Sequence, residues 1–315
     1  MDLATVDKRA VRVAVLHGGW SAEREVSLNS GKACTGALER AGFEHVDLID
    51  VTPDIGRVLS DSMPDVVFNA LHGKWGEDGH IQAILEVLRI PYTHSGVLSS
   101  ALAMHKEKAK TVFREAGLPV AESKLVTLER LMESSPIPMP YVVKPVAEGS
   151  SVGVHIVHSD SNAPVSVSLS DHEAFGKELM VERFVPGREL TCAVMGNVAL
   201  GVTEIVSTNE FYNYESKYAP GGSEHILPAD IPQDVYRKIQ QFSLIAHQAL
   251  GCRGVTRSDF RYDDTPGSEG EIVILETNTQ PGMTGTSLVP EIAQHAGHTF
   301  EELAEWMVRD ASCDR

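Results

Sequence analysis

Arg257-Ser258-Asp259-Phe260 and Ile272-Val273-Ile274-Leu275-Glu276-Thr277-Asn278 are two strand-like runs that carry guanidinium, carboxylate and amide groups in alternation. Successive side chains of a strand point to opposite faces, so Arg257 shares a face with Asp259, and Glu276 with Asn278. Two carboxylates, an amide and a guanidinium on one sheet surface are costly to bury unless a cation and an anion fill the space between them. Magnesium with a nucleotide phosphate fits, since Mg²⁺ takes carboxylate oxygens and phosphate, and Arg stabilises a transferring phosphoryl group. The competing reading is a salt-bridge ladder on an edge strand. Groups elsewhere in the chain decide between the two.

A length of 315 residues predicts two domains, possibly three, and 42% apolar residues suffice for a buried core. Acidic residues outnumber basic ones, 44 to 27, for a net charge of −17, a field that repels nucleic acid and anionic membrane. A bound polyphosphate therefore needs a local positive cluster. Cys34, Cys192, Cys252 and Cys313 are far apart, with no CxxC pair, and read as reduced thiols. The first dozen residues hold no apolar leader segment, and no later run reaches membrane-spanning length. A cytoplasmic protein is expected.

Upstream, the run from Val11 to Leu16 reads as a buried strand and Gly18-Gly19 as a turn. Ser21 reads as the cap of a helix over 22–41, with an apolar stripe of Val26, Ala33, Ala37 and Ala41 and a stop at Gly42. Strands over 46–51 and 66–71, a helix over 81–88 and a short strand at 91–93 follow. Such alternation makes a parallel sheet with helices on its faces. Then come a helix over 99–116, strands over 120–126 and 141–144, a hairpin back into 154–157, and a strand over 178–185. The Ser-rich 160–171 reads as a loop or short irregular helix. Two more strands, a long polar segment, a helix over 234–250, the two ligand strands and two helices close the chain.

Several groups carry possible chemistry. Gly149-Ser150-Ser151-Val152-Gly153 can fold backbone amides over an oxyanion, although it lacks the P-loop pattern and a glycine hairpin is the plain alternative. Lys144 ends an apolar strand just before it, and a strand-borne ammonium is expensive unless it meets a phosphate. Lys106 is a second candidate cation, but nearby Lys108 and Lys110 favour a solvated helix face. Glu182 and Glu189 lie on a strand and turn able to offer backbone amides to adenine and a carboxylate to ribose hydroxyls. The segment 207–224 holds Phe211, Tyr212, Tyr214, Lys217 and Tyr218 among polar residues, which argues for a lid. Glu23, near the start of the first helix, either favours the helix dipole or receives an ammonium. His72 and the Gly76-Glu77-Asp78-Gly79 turn follow a strand end, where open α/β sheets place ligands. Ser287 sits at a predicted helix N-terminus suited to a carboxylate.

Taken in order, Gly18-Gly19-Trp20-Ser21-Ala22-Glu23-Arg24-Glu25-Val26-Ser27, His72 to Gly79, Lys144-Pro145 with Glu148 to Gly153, and Glu276-Thr277-Asn278 with Pro281-Gly282-Met283-Thr284 resemble the D-alanine:D-alanine ligase family of the ATP-grasp superfamily. The resemblance spans nearly the whole chain. It implies an α/β fold of three domains: an N-terminal Rossmann-like substrate domain over 1–97, a central ATP-grasp domain over 98–186 and a C-terminal ATP-grasp domain over 187–315, the last two clasping ATP.

By the same resemblance, ATP is held by Lys106, Lys144, Glu182, Glu189 and Lys217. Asp259, Glu276 and Asn278 match the ligands of magnesium, two ions being expected and manganese an acceptable substitute. Glu23 and His72 belong to the first substrate's pocket, Arg257 and the Gly282 amide to an oxyanion site, and Ser287 to the second substrate's carboxylate. Ser150 and Tyr218 join helix, hairpin and lid. The implied reaction joins two D-alanines for peptidoglycan precursor synthesis, and the implied assembly is a homodimer. Two departures are Gln280, where relatives usually carry a small or apolar residue, and the Ser-rich 160–171. A ligase for another amino acid and a silent nucleotide-binding regulator are the competing expectations.

Overall fold

The computed structural model describes residues 3–149, 153–158, 178–207 and 222–314, which build three sheets. The first sheet is parallel, in the order β2-β1-β3, and consists of β1 (Arg12–His17), β2 (His45–Asp50) and β3 (Val66–Asn69). β1 is buried along all but its first residue, as befits a central strand covered on both faces. Helix α1 (Arg24–Ala41) follows it and stops at Gly42. The expected apolar stripe is shifted: α1 buries Ser27, Ser30, Cys34, Ala37 and Leu38, while Val26, Ala33 and Ala41 are only partly covered. Small residues let this helix lie close to the ends of β1 and β3, where Ser27 donates a hydrogen bond to the Ala70 carbonyl.

Two short helices escape the sequence reading. α2 (Ile55–Ser62) precedes β3 and buries Ile55 and Leu59, one turn apart, with Val58 packed partly against the same core. After α3 (His80–Leu88), Tyr92 makes isolated bridges to Val67 and Ser312 in place of a strand at 91–93. The single helix expected over 99–116 is two, α4 (Val97–Met104) and α5 (Lys106–Glu115). The break falls at His105, whose ring caps α5 by accepting a bond from the Lys108 amide.

The second sheet is antiparallel, ordered β4-β7-β5-β6, from β4 (Ser123–Val126), β5 (Tyr141–Pro145), β6 (His155–Val157) and β7 (Leu179–Arg183). The hairpin pairing of β5 with β6 is as expected, while the 150–152 part of its tip lies outside the described residues. The unanticipated α6 (Leu128–Glu133) sits between β4 and β5 with one buried residue, Leu131.

The third sheet is antiparallel, ordered β10-β9-β8-β11-β12: β8 (Arg188–Met195), β9 (Val198–Ser207), β10 (Ser223–Ile226), β11 (Val255–Tyr262) and β12 (Ile272–Asn278). Helix α7 (Gln233–Ala249) packs on it, and α8 (Leu288–His295) and α9 (Phe300–Asp310) close the chain. The largest apolar cluster joins Val13, Val15 and Leu38 of the first sheet and α1 to Leu303 and Met307 of α9 and to Val255 and Ile292. The first and third sheets thus share one core, which holds the C-terminal ends of β3 and β12 beside each other. Among the described residues no helix is long and apolar enough to cross a membrane. Their four cysteines are free, and burial pushes the thiols of Cys192 and Cys252 up to about 12.

Candidate active site

Between the second and third sheets lies a cleft enclosing about 900 Å³ of space open to solvent. Its lining includes Lys106, Lys144, Glu182, Glu189, Asp259 and Glu276, six residues singled out by the sequence. The lysine at the start of α5 and the carboxylate of β12 meet directly, with Lys106 Nζ 3.6 Å from Glu276 Oε2. Lys106 Nζ also donates to the Glu148 carbonyl at 2.6 Å, and its own amide bonds the Val146 carbonyl. The expectation that Lys106 lies on a solvated helix face is therefore wrong. Breaking the helix at His105 turns the start of α5 toward the β5–β6 loop, and Lys106 is buried.

Period-two alternation on β11 and β12 places the remaining groups. Asp259 stands opposite Glu276 in register and Arg257 opposite Asn278, with a bulge after Asp259. Arg257 holds Asp259 bidentately at 2.8 and 2.9 Å, and Thr191 of β8 donates to the same carboxylate at 2.6 Å. Asn278 Oδ1 accepts the Gln280 amide at 2.9 Å. Farther along β11, Arg261 approaches Glu189 at 3.7 Å and donates to the carbonyls of Val185 and Gly187. No group of three or more His, Cys, Asp or Glu placed to hold a metal occurs among the described residues. The donors at this spot are two carboxylates and an amide, all hard oxygens of the kind Mg²⁺ prefers.

Beneath the cleft, Glu182 of β7 is clamped between Lys144 of β5, at 2.6 Å, and Lys110 of α5. All three are buried. Burial alone would raise the Glu182 carboxyl, but Lys144 and Lys110 outweigh it and hold the group below the ordinary carboxylate range. Burial pulls Lys110 down. From the sequence, Lys110 marks only a solvated face. The signal that marks it as structural is its position four residues after Lys106, on the same side of the helix.

At the opposite end of the cleft stands Glu23, buried at the start of α1. Glu23, and not Ser21, takes the helix-cap position, and it makes no side-chain cap bond. Ser21 donates instead to the His72 carbonyl at 2.7 Å and accepts the Glu23 amide at 3.2 Å, tying the helix start to the loop after β3. The Glu23 carboxylate lies so near the β5–β6 loop that a Cβ on Gly149 would come within 2.6 Å of it. Gly73, at φ +69°, leaves 3.0 Å on the other side.

His72 is buried with both ring nitrogens engaged, Nδ1 with Glu77 at 3.1 Å and Nε2 with Ser30 at 2.8 Å. Burial opposes its charge most strongly, but Glu77, Glu23 and the Gln280 backbone together raise its pKa. The ring is thus held from both sides, by Glu77 and Ser30. Gln280, also buried, accepts from the Asn69 side chain and donates to the Leu71 carbonyl, joining the end of β12 to the end of β3. Downstream, Ser287 Oγ would sit 3.0 Å from a Cβ on Gly282, so this pair is adjacent. Ser287 occupies the cap position of α8, yet its hydroxyl accepts from the Thr284 amide at 3.0 Å and not from the helix. Ser150, Lys217 and Tyr218, with the 208–221 part of the expected lid, lie outside the described residues.

Family models described as D-ala D-ala ligase N-terminus and D-ala D-ala ligase C-terminus match residues 56–95 and 112–309. The chain belongs to the D-alanine–D-alanine ligase family. It is 60% identical over 304 residues to D-alanine–D-alanine ligase of Methylobacterium radiotolerans, covering 96% of this chain and 99% of that one. Its identity to the ligase of Parvibaculum lavamentivorans is 58% over 311 residues, covering 98% and 99%. Among solved structures it is similar to D-alanine–D-alanine ligase of Bacillus anthracis complexed with ATP. That likeness has a TM-score of 0.79 at 28% identity and covers 96% of this chain and 97% of that one. One parallel-sheet domain and two antiparallel-sheet domains match the ATP-grasp fold of these ligase structures, as the resemblance implied.

Proposed function

We propose that the chain joins two D-alanine molecules to D-alanyl-D-alanine, converting ATP to ADP and phosphate. The observation that carries this reading is 60% identity over nearly the full length to a D-alanine–D-alanine ligase. The meeting of Lys106 with Glu276 at 3.6 Å, above the Lys144–Glu182 pair, supports the nucleotide half of it.

In this reading Lys106 and Lys144 neutralise the phosphates, as an acidic chain requires. Glu189 and the backbone beside Glu182 hold the nucleoside, and Lys217 comes from the lid. Asp259, Glu276 and Asn278 would hold Mg²⁺, which on binding spreads charge from the transferring phosphoryl group. Glu23 takes the ammonium of the first D-alanine, with Ser21 and His72 fixing the loop beside it. That substrate's carboxylate oxygen attacks the γ-phosphorus, the bond to ADP breaks, and an acyl phosphate forms. Ser287 holds the second D-alanine's carboxylate. Its amine attacks the acyl carbon and loses a proton, and the tetrahedral oxyanion is stabilised by Arg257 and the Gly282 amide. Collapse expels phosphate and leaves the peptide bond. Ser150 and Tyr218 would help close the site, because water admitted to it would hydrolyse the acyl phosphate.

Domain limits at 97 and 186, cytoplasmic residence, a homodimer and a place in peptidoglycan precursor synthesis belong to the same proposal. The test is phosphate release with each D- and L-amino acid, alongside identification of the product. Release with D-alanine and formation of D-alanyl-D-alanine are expected. Release with another amino acid alone would move the chain to a different specificity. ATP binding without release under any of them would make it a regulator.

A further inference from the structure

The Lys110–Glu182–Lys144 group holds two ammoniums and one carboxylate with almost no solvent, at exposures of 0%, 2% and 7%. Lys144 and Glu182 line the cleft, whereas Lys110 does not. Lys110 Nζ donates to the Ala121 carbonyl at 2.7 Å and to Glu182, so it is fixed from two sides. A buried Glu182–Lys144 pair alone would be neutral, and Lys144 would be bound to its carboxylate as tightly as to any ligand. Placing a third charge behind the pair is expensive. The return on that cost is a net unit of positive charge beside Lys144, the cation of the group that lines the cleft.

We infer that Lys110 is a positioning residue: by sharing Glu182 from behind, it leaves Lys144 with unneutralised charge for a nucleotide phosphate in the cleft. The inference rests on the nucleotide reading of the cleft and adds to it a residue that never touches the nucleotide. Helix α5 then has two roles on successive turns, Lys106 reaching the cleft and Lys110 supplying charge beneath it. The arrangement also accounts for a buried lysine that has no contact with solvent.

The test is titration of the chain with the magnesium complex of AMP-PNP, a non-hydrolysable ATP analogue, without D-alanine. Lys110→Met should weaken binding by about tenfold or more, because Glu182 then neutralises Lys144 in a site of low dielectric. The double variant Lys110→Met with Glu182→Gln restores one net charge, so it should recover most of the lost affinity. A residue that served packing alone would show no such rescue. Wild-type affinity in Lys110→Met would overturn the inference, and so would a folded double variant that binds as weakly as the single one. If the single variant does not fold, the Glu182→Gln background carries the test: there Lys110→Met should change binding by no more than about threefold, and a loss of about tenfold or more in a folded double variant contradicts the account. Failure of the wild-type chain to bind AMP-PNP would overturn the nucleotide reading itself, and the inference with it.

Discussion

The two ends of the cleft are built on opposite plans. At the end lined by Lys106 and Lys144, charged groups on strands and helices answer one another: Arg257 with Asp259, Lys106 with Glu276, and Lys110 with Glu182 and Lys144. At the Glu23 end the buried Glu23 carboxylate is enclosed by the glycines of two loops, and the side chains behind it, buried Glu77 among them, are tied to the His72 carbonyl and to one another. The first plan sets charge and tolerates small movements of its parts. The second sets shape, and leaves no room for one methyl group.

The largest expected effect tests the charged end. Arg257→Met should lower turnover on the order of a hundredfold while AMP-PNP still binds, because one oxyanion donor acts only in the transition state. Undiminished turnover would remove Arg257 from the chemistry. Next is the link between the two ends. Gln280→Ala leaves the Asn69 amide with the Gly76 carbonyl alone and deprives the Leu71 carbonyl of its Gln280 donor, and urea unfolding should register a loss of about 2 kcal/mol. A loss below about 0.5 kcal/mol would mean that the ends are held together by other contacts.

Shape at the other end is probed by Gly149→Ala, whose Cβ meets Glu23 at 2.6 Å. The KM for D-alanine should rise about tenfold with that for ATP changed much less, since binding is lost on one side alone. Equal rises would show that the two plans are not separable. The smallest effect concerns His247, buried beneath β11 and bonded to Thr256 at 2.8 Å. Burial lowers its pKa from 6.5 to about 4, so between those values the unfolded chain binds more protons and stability falls as pH falls. His247→Gln should flatten that slope, narrowing the gap in unfolding free energy between pH 7.5 and about pH 5.5 by about 1 kcal/mol. An unchanged slope would assign the acid sensitivity to other groups.

How much of this was legible in the sequence follows the same division. Asp259, Glu276, Asn278 and Arg257 were readable because a strand's period of two forces them onto shared faces, and the register bears that out. Lys144 was readable because an ammonium ending an apolar strand needs a partner. That Lys106 is buried was not readable, because the break at His105 depends on a cap between a ring and an amide that periodicity does not record. Lys110 was missed for the same reason: a run of lysines looks solvated until the helix carrying it is placed against a carboxylate from β7. The dual anchorage of Gln280 joins segments more than 200 residues apart, at Leu71 and Asn69, which no local pattern encodes. α2 and α6 were too short to show a full apolar period, with only two and one buried residues respectively.

The most direct test is a crystal structure of the chain with AMP-PNP and Mg²⁺. The triphosphate should lie between Lys106 and Lys144 on one side and Asp259, Glu276 and Asn278 on the other, with the metal on those oxygens and the γ-phosphate turned toward Glu23. A nucleotide seated elsewhere, or one held in this cleft with its phosphates directed away from both lysines, would contradict the account.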